Sequence, residues 1–246
     1  MIIGSEIIYF DSLPSTNTHA LQILKNKKPC EGTILRAGFQ SGGRGQTGNK
    51  WESEAGKNLL ISIILYPESI NPSDQFMISM AISLGICDLL DKYIPGSKIK
   101  WPNDIYVNND KIAGILIESS IMGNSIENCI AGIGLNVNQS HFLSNAPNPV
   151  SLCQIAGKEY DLTDILNDLS SSLDLRYKMI IAEDYKQVRE QYIAKLFRLN
   201  EWASYRAHNQ VFTGRLLSVT ESGRLQIETK PGSKKEYFFK EIEFIL

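Results

Sequence analysis

Apolar runs and their spacing predict the first elements of the chain. Ile7–Phe10 and Gly32–Gly38 are predicted strands, and the β-branched run Asn58–Leu65 predicts a third. Turn and capping residues at 11–17 precede a helix that is predicted from about Thr16 to Lys27. The first predicted helix therefore lies between two predicted strands.

The middle of the chain is predicted to be rich in strands. A helix opens at Asn71-Pro72-Ser73-Asp74, and its apolar residues continue to Leu90. The stretch from Ser97 to Asn138 then carries several short apolar runs, with a predicted turn at Asn108-Asn109-Asp110. The predicted strands are Lys98–Trp101, Ile105–Val107, Ile112–Glu118 and Cys129–Asn138.

The C-terminal part is predicted to hold two helices and a small β-region. Pro147-Asn148-Pro149 marks a break, after which helical spacing predicts helices around Leu162–Leu173 and Tyr185–Leu196. The pattern changes near Asn209, where strand spacing predicts a small β-barrel of about 40 residues. Its predicted strands are Val211–Val219, Leu225–Thr229 and Glu236–Phe239, with turns at Glu221-Ser222-Gly223 and Lys230-Pro231-Gly232-Ser233.

Composition and charge exclude several classes of protein. The 246 residues suffice for one large domain or a domain with a small appendage, and a net charge of −2 argues against bulk nucleic-acid binding. No basic segment precedes an apolar one at the start, and no apolar run is expected to reach membrane-spanning length. The scattered cysteines indicate reduced thiols in a cytoplasmic protein, and the scattered histidines disfavour a zinc site.

Residues 41–51 hold four glycines, two cations and a tryptophan, which makes them the richest source of candidate chemistry. Arg44, Lys50 and Trp51 together suit an anion with an attached planar ring, such as a nucleotide. The glycines match G-x-G-x-x-G, but a strand follows them where a dinucleotide fold needs a helix. A Walker-A motif is excluded because Asn49 and Lys50 replace its Lys and Ser/Thr. A non-standard phosphate loop and a flexible hairpin both stay open.

Lys100-Trp101-Pro102-Asn103-Asp104 is a second candidate group of residues. A hairpin after it would bring Lys111 back near Asn103 and Asp104, where the carboxylate would keep the lysine charged and fixed. The alternative is an ordinary surface salt bridge. Glycines within the apolar strands, such as Gly114 and Gly132, mark either a close approach or a bulge.

Together these segments resemble the biotin–protein ligases, also called biotin–[acetyl-CoA carboxylase] ligases. The matching segments follow the family's order between about residues 8 and 140, and their combination is highly specific. They are Ser15-Thr16-Asn17, Gln40 with Gly43-Arg44-Gly45, Trp51, Lys100–Asp104, Lys111–Glu118 and Gly132–Asn136. The resemblance implies an α+β fold: a mixed β-sheet with flanking helices as the catalytic domain over residues 1–205, and a small SH3-like β-barrel over 206–246.

The resemblance also implies a two-step reaction. Biotin attacks the α-phosphate of ATP with Mg²⁺ to give biotinyl-5′-AMP, and a lysine of a biotin carboxyl carrier protein then takes the biotin. The implied catalytic residues are Lys111 and Arg44. Those implied to bind biotin are Ser15, Thr16, Asn17, Gln40, Arg44, Gly45, Gln46, Lys111, Gly114 and Gly132. Those implied to bind the nucleotide are Arg44, Trp51, Asn103, Asp104 and Asn136. No protein ligand for a metal is implied.

The roles implied for single residues differ along the ligand. Ser15, Thr16 and Gln40 would bond the ureido ring, and Gly114 and Gly132 would let the backbone lie against the apolar part. Trp51 would stack near adenine, whose amino edge Asn136 would read. Asn103 and Asp104 would orient Lys111 or the magnesium-bound phosphates.

The chain departs from the commonest family loop, which has arginines where Gln46 and Asn49 stand. We expect Arg44, Lys50 and backbone amides to hold the adenylate instead. Only about fourteen residues precede Ser15, which predicts a dedicated enzyme that does not bind DNA. A lipoate–protein ligase and a non-catalytic binding module are the competing interpretations, and homodimerisation stays open.

Overall fold

The computed structural model of the protein describes residues 1–46, 48–143, 148–229 and 232–245. Its first part is a seven-stranded sheet with two helices. The elements in chain order are β1 (Ile7–Leu13), α1 (Thr16–Leu24), β2 (Ile34–Gln40), β3 (Leu59–Leu65), α2 (Phe76–Leu90), β4 (Ser97–Lys100), β5 (Asp104–Val107), β6 (Asp110–Met122) and β7 (Ser125–Leu135). Each element predicted for this half is present, although several bounds are shifted: α1 ends at Leu24 and not at Lys27, and β7 ends at Leu135 and not at Asn138. Predicted residues Thr47, Pro147, Lys230 and Pro231 lie outside the described part of the chain.

The strands are arranged in the order β1-β2-β3-β7-β6-β5-β4, with β1 and β2 parallel and the other neighbours antiparallel. The sheet is therefore mixed, as predicted. Strand alternation sends Leu35, Ile64 and Ile130 to the face covered by α1, where they pack with Ala20. The opposite face carries the larger core beneath α2.

Helix α2 is the centre of the main core. It follows a 3₁₀ turn at Pro72–Asp74 and packs against β4, β5 and β6 on one side. On its other side lie two helices, α4 (Leu162–Ile181) and α5 (Tyr185–Ala194), which are preceded by the short α3 (Leu152–Ala156). The predicted helices 162–173 and 185–196 are thereby confirmed, whereas α3 was not predicted.

The prediction that no apolar run reaches membrane-spanning length is wrong. The segment Pro72–Leu90 is long and apolar enough, by length and composition alone, to cross a membrane. In the structure 72% of its most apolar 18-residue window is buried inside the protein, so its apolar character is explained by contact with the sheet and with α4.

A second, five-stranded antiparallel sheet forms the C-terminal part. Its strands are β8 (Trp202–Ala207), β9 (Gln210–Val219), β10 (Leu225–Thr229), β11 (Ser233–Tyr237) and β12 (Ile242–Phe244), in the order β11-β10-β9-β8-β12. This agrees with the predicted small barrel-like region, although β8 and β12 were not predicted. Because a boundary between 205 and 206 would cut β8, we propose that the division lies before Trp202.

The two parts share one continuous core. Trp101, which is 3% exposed, donates from Nε1 to the carbonyl of Gly223 at 2.9 Å. Its ring centroid lies 5.2 Å from that of Phe239, which also packs against Phe76 of α2. The peptide bond between Trp101 and Pro102 is cis, and the chain turns there between β4 and β5. The turn beside the candidate site is thus attached directly to the second sheet.

Candidate functional site

The main cavity has a volume of about 130 Å³ and lies on the side of the sheet that carries α1. The structure brings together there every predicted site residue except Asn136. The predicted residues that line it are Ser15, Thr16, Asn17, Gln40, Arg44, Gly45, Gln46, Trp51, Asn103, Asp104, Lys111, Gly114 and Gly132. Residues that are far apart in the sequence therefore form one site.

The first turn of α1 forms an uncharged polar end of the cavity. Ser15 caps the helix, and the buried Thr16 donates to Gln40 Oε1 from its backbone N at 2.7 Å and from Oγ1 at 3.1 Å. The hydroxyl of Ser62 on β3 lies 2.7 Å from Thr16 Oγ1 and 2.6 Å from Asn17 Oδ1. Ser62 was not predicted, because a single Ser in an apolar strand carries no distinctive signal.

Gly132 makes room for this polar end. A Cβ built on Gly132 would lie 2.2 Å from Asn17 Oδ1, so only glycine lets β7 pass so close to the amide. The expected close approach at Gly132 is present, but its neighbour in this structure is a protein side chain.

Arg44 lies at the mouth of the cavity near the same end. Its guanidinium donates to Glu118 Oε1 at 2.7 Å and to Oε2 at 3.3 Å, and Glu118 Oε2 also accepts from Asn17 Nδ2 at 2.9 Å. This two-pronged contact joins the glycine-rich loop to β6. Arg44 was expected to bind ligand oxyanions, whereas in this structure its guanidinium binds the carboxylate of Glu118.

The glycine-rich loop is a hairpin. Gly45 N donates to Asn49 O at 2.8 Å, Trp51 N donates to Gly43 O at 2.9 Å, and Arg44 pairs with Lys50 in an antiparallel bridge. The described backbone of this loop therefore has the hairpin form that was one of the two interpretations of its sequence. Because Gly45, Gln46 and Lys50 also line the main cavity, the hairpin forms one of its walls.

Lys111 and Asp104 form an ion pair at the centre of the site. The turn between β5 and β6 brings Lys111 Nζ to 2.7 Å from Asp104 Oδ1, as the hairpin prediction required. The two side chains are 23% and 18% exposed, so this pair is more buried than a typical surface salt bridge. Lys111 Nζ also lies 5.6 Å from the centre of the Trp51 ring. Asp104 therefore holds a cation in place beside an aromatic surface.

Trp51 lies flat against two glycines of the sheet. A Cβ on Gly134 would come within 2.3 Å of the indole, and one on Gly114 within 2.8 Å. Gly114 and Gly134 face each other across β6 and β7, so together they form a depression that the ring fills. Gly114 thus permits a close approach of the indole, whereas its implied contact with the ligand stays a prediction. Trp51 Nε1 is buried and has no hydrogen-bond partner among the described residues.

Asn136 lies in a smaller cavity of about 50 Å³ on the other side of Trp51 and Lys111. Its amide donates from Nδ2 to the carbonyl of Val150 at 3.0 Å, while its buried Oδ1 has no partner in the described part of the chain. An unpartnered carbonyl oxygen at this depth suits a ligand donor. Phe142 and Pro149, which also line this cavity, were not predicted because nothing in the surrounding loop sequence distinguishes them.

Asn103 has a structural contact as well as a place in the cavity. Its Nδ2 donates to Ile115 O at 2.8 Å, and Ile115 N donates back to Asn103 O at 2.9 Å. These bonds fix the turn after Pro102 against β6. Of the two roles expected for Asn103 and Asp104, the contacts favour orientation of the lysine region. Among the described residues, no group of three or more His, Cys, Asp or Glu side chains could hold a metal ion.

The arrangement suits an elongated ligand of three parts. An uncharged ring with hydrogen-bonding edges fits the Thr16–Gln40 end, and an anionic centre fits Lys111. A flat ring with a donor edge fits the smaller cavity at Asn136. Since Lys111 lines both cavities, it stands where two substrates bound in them would meet.

Comparison with known proteins shows a matching family and similar proteins over most of the chain. The model of the biotin/lipoate A/B protein ligase family matches residues 9–136. The chain is 30% identical over 244 residues to the bifunctional ligase/repressor BirA of Bacillus subtilis, covering 96% of this chain and 73% of that protein. It is 27% identical over 231 residues to biotin–[acetyl-CoA-carboxylase] ligase of Paracoccus denitrificans, covering 89% and 92%.

A solved structure is similar over nearly the whole chain. The biotin protein ligase from Aquifex aeolicus in complex with biotin and ATP gives a TM-score of 0.81 at 27% identity, covering 97% of this chain and 98% of that one. The similarity therefore extends over both sheets and over the candidate site.

Proposed function

The chain belongs to the biotin/lipoate A/B protein ligase family, and we propose that it is an ATP-dependent biotin–protein ligase, specifically a biotin–[acetyl-CoA-carboxylase] ligase. It activates biotin as biotinyl-5′-AMP and transfers the biotin to a lysine of a biotin carboxyl carrier protein. The observation that carries this proposal is the position of Lys111, which is held by Asp104 at the junction of the two cavities.

Binding of biotin is assigned to the main cavity. Thr16, Gln40 and the residues around them supply neutral donors and acceptors for the ureido ring, and the carboxylate of biotin points toward Lys111. Binding of adenine is assigned to the smaller cavity, where Asn136 Oδ1 accepts from the exocyclic amino group.

Lys111 then serves the first step. The biotin carboxylate attacks the α-phosphorus of ATP, and pyrophosphate leaves with the electron pair of the broken P–O bond. The ammonium of Lys111 stabilises the negative charge that develops on the phosphoryl oxygens, while Asp104 keeps the ammonium in position. Magnesium arrives as part of the substrate MgATP.

The glycine-rich hairpin protects the intermediate. A mixed anhydride is hydrolysed when water reaches it, so the wall formed by Gly45 and Gln46 has a function beyond binding. With Gln46 and Asn49 in the loop, we assign the retention of the adenylate to Lys50, to backbone amides and to closure of the hairpin through Arg44. We also place the enzyme in the cytoplasm, since all four cysteines are free thiols.

The test is exchange of labelled pyrophosphate into ATP, with biotin and lipoate as parallel substrates. Exchange with biotin alone is the expected result. Exchange with lipoate alone would reassign the substrate within the same fold. Absence of exchange with either, in a folded sample containing magnesium, would favour a binding module without catalysis.

A further inference from the structure

A third cavity, of about 250 Å³, lies beside the main one and has no role in the proposed activation step. Ser79 and Ser83 of α2 line one side, Ser119 of β6 lines another, and Ser222 and Phe239 of the C-terminal part close it. It is thus formed by the first sheet, its core helix and the loops that connect strands of the second sheet. Neither the sequence motifs nor the activation chemistry accounts for it.

This cavity shares part of its wall with the main cavity. Gln46, Asn103 and Ile115 line both. Gln46 belongs to the glycine-rich hairpin, and Asn103 directly precedes Asp104, the partner of Lys111. The shared wall therefore lies next to the point where the activated carboxyl is expected.

The described residues that line the third cavity include no charged side chain. A phosphate chain needs cationic partners, so pyrophosphate or the triphosphate of ATP does not fit here. Hydroxyl and amide groups alternate with apolar surface, including the rings of Phe76 and Phe239, whose centroids are 6.0 Å apart. The hydroxyl of Ser83 is fully buried and has no hydrogen-bond partner among the described residues. Such a lining fits a flexible alkyl chain that ends in a nitrogen donor.

We propose that the third cavity is the passage through which the acceptor lysine of the carrier protein reaches biotinyl-5′-AMP, an inference that rests on the proposed function. The four-carbon stem of the lysine would lie between the aromatic and aliphatic walls. Its nitrogen would pass the serine hydroxyls and arrive at Asn103 and Gln46. The carrier would accordingly contact the C-terminal part as well as the catalytic sheet.

The uncharged lining also serves the transfer step. A lysine that leaves water for a cavity without a carboxylate has a lowered pKa, which favours the neutral, nucleophilic amine, and its proton is released to solvent. The nitrogen lone pair forms a bond to the carbonyl carbon of biotinyl-5′-AMP. The C–O bond to phosphate breaks with its electron pair going to AMP, and the second nitrogen proton passes to the AMP phosphate.

The test separates the two half-reactions. Ser79→Leu narrows the passage from α2, and Ser119→Leu narrows it from the opposite wall. Ser79→Ala removes the hydroxyl but keeps the space, and Ser73→Leu adds the same side chain on the neighbouring 3₁₀ turn, outside the cavity. Biotin-dependent pyrophosphate exchange and transfer of biotin to a purified carrier domain are measured for each, after circular dichroism has established folding.

We expect Ser79→Leu and Ser119→Leu to lower the rate of transfer at least tenfold while exchange stays within twofold of the wild type. Ser79→Ala and Ser73→Leu should match the wild type in both assays. Unchanged transfer in both leucine variants, or an equal loss of exchange and transfer, would overturn the proposal that the third cavity is the passage for the acceptor lysine. A wild-type protein that shows no exchange would instead refute the proposed function itself.

Discussion

At the scale of single residues, we propose that the Lys111–Asp104 pair determines whether the first step of the proposed reaction can occur. Lys111→Ala would remove the cation to which we assign stabilisation of charge on the reacting phosphate, and we expect pyrophosphate exchange to fall at least about 100-fold. Lys28→Ala removes a lysine that is 72% exposed and should leave exchange unchanged. A Lys111→Ala protein that is folded and fully active would contradict the assignment.

The contact between Arg44 and Glu118 defines a second residue-scale prediction. If this pair closes the hairpin over the cavity, Arg44→Glu and Glu118→Arg should each weaken biotin binding about tenfold, or ~1.4 kcal/mol, because like charges then face each other. The double variant restores opposite charges and should recover most of the affinity in isothermal titration calorimetry.

The same double variant distinguishes closure from direct binding of the ligand. If the Arg44 guanidinium instead binds a ligand anion, the double variant should stay as weak as Arg44→Glu. The matched control is the double variant Arg206→Glu, Glu243→Arg, which reverses an ion pair of 2.7 Å in the second sheet. It should leave biotin binding unchanged.

The residue-scale predictions from sequence succeeded where a side chain belongs to a distinctive local motif. Lys111 was expected to meet Asp104 because a short turn separates them, and the structure places them in contact. Glu118 and Phe142 were given no role, since each depends on a partner that only the folded chain brings near. No local pattern marks a carboxylate that will meet an arginine more than seventy positions away.

At the scale of elements, the position of Trp51 depends on two facing glycines, Gly114 on β6 and Gly134 on β7, which leave room for the indole ring. Gly134→Ala would place a Cβ 2.3 Å from the indole, and we expect displacement of the ring with a loss of about 1–3 kcal/mol in the free energy of unfolding. Gly42→Ala is the matched control because its nearest neighbour, Pro14 O, lies at 3.4 Å. Urea unfolding followed by tryptophan fluorescence measures both variants. Equal stability of both would show that the sheet accommodates the methyl group.

The elements that sequence patterns predicted are the long ones. The apolar residues of α2 and α4 continue over several turns, so their period is visible. The five-residue α3 was missed because its main signal is a capping box between Ser151 and Gln154. Strand β8 was missed because most of its residues are exposed or half-buried, which leaves little apolar pattern.

At the scale of the whole molecule, Asp174 ties the start of the chain to α4. Its carboxylate accepts from the backbone N of Ile3 at 3.0 Å and of Ile2, and it pairs with Lys178 at 2.8 Å. Burial alone would raise the pKa of Asp174, but these bonds outweigh burial and lower the pKa below its usual value. The ionised form therefore stabilises the folded state.

We expect Asp174→Asn to lower the free energy of unfolding at pH 7 by about 1–3 kcal/mol. Because the folded pKa is depressed, this contribution is complete above the unfolded pKa of about 3.9 and is lost as the pH falls through the folded pKa. The gap in stability between the wild type and the variant should thus begin to shrink as the pH falls below about 4, and it should close once the pH lies below the folded pKa, as measured by denaturant unfolding. As a control, Asp11→Asn at an exposed position should leave the free energy of unfolding unchanged across this pH range. A difference in stability between the wild type and Asp174→Asn that does not change with pH would refute the electrostatic explanation.

The buried helix α2 also has a consequence for how the protein is made. During synthesis α2 leaves the ribosome about 70 residues ahead of α4, which covers one of its sides. Throughout that interval a segment apolar enough to span a bilayer is exposed in the nascent chain. Chaperones that bind apolar segments would therefore have access to this stretch until α4 emerges.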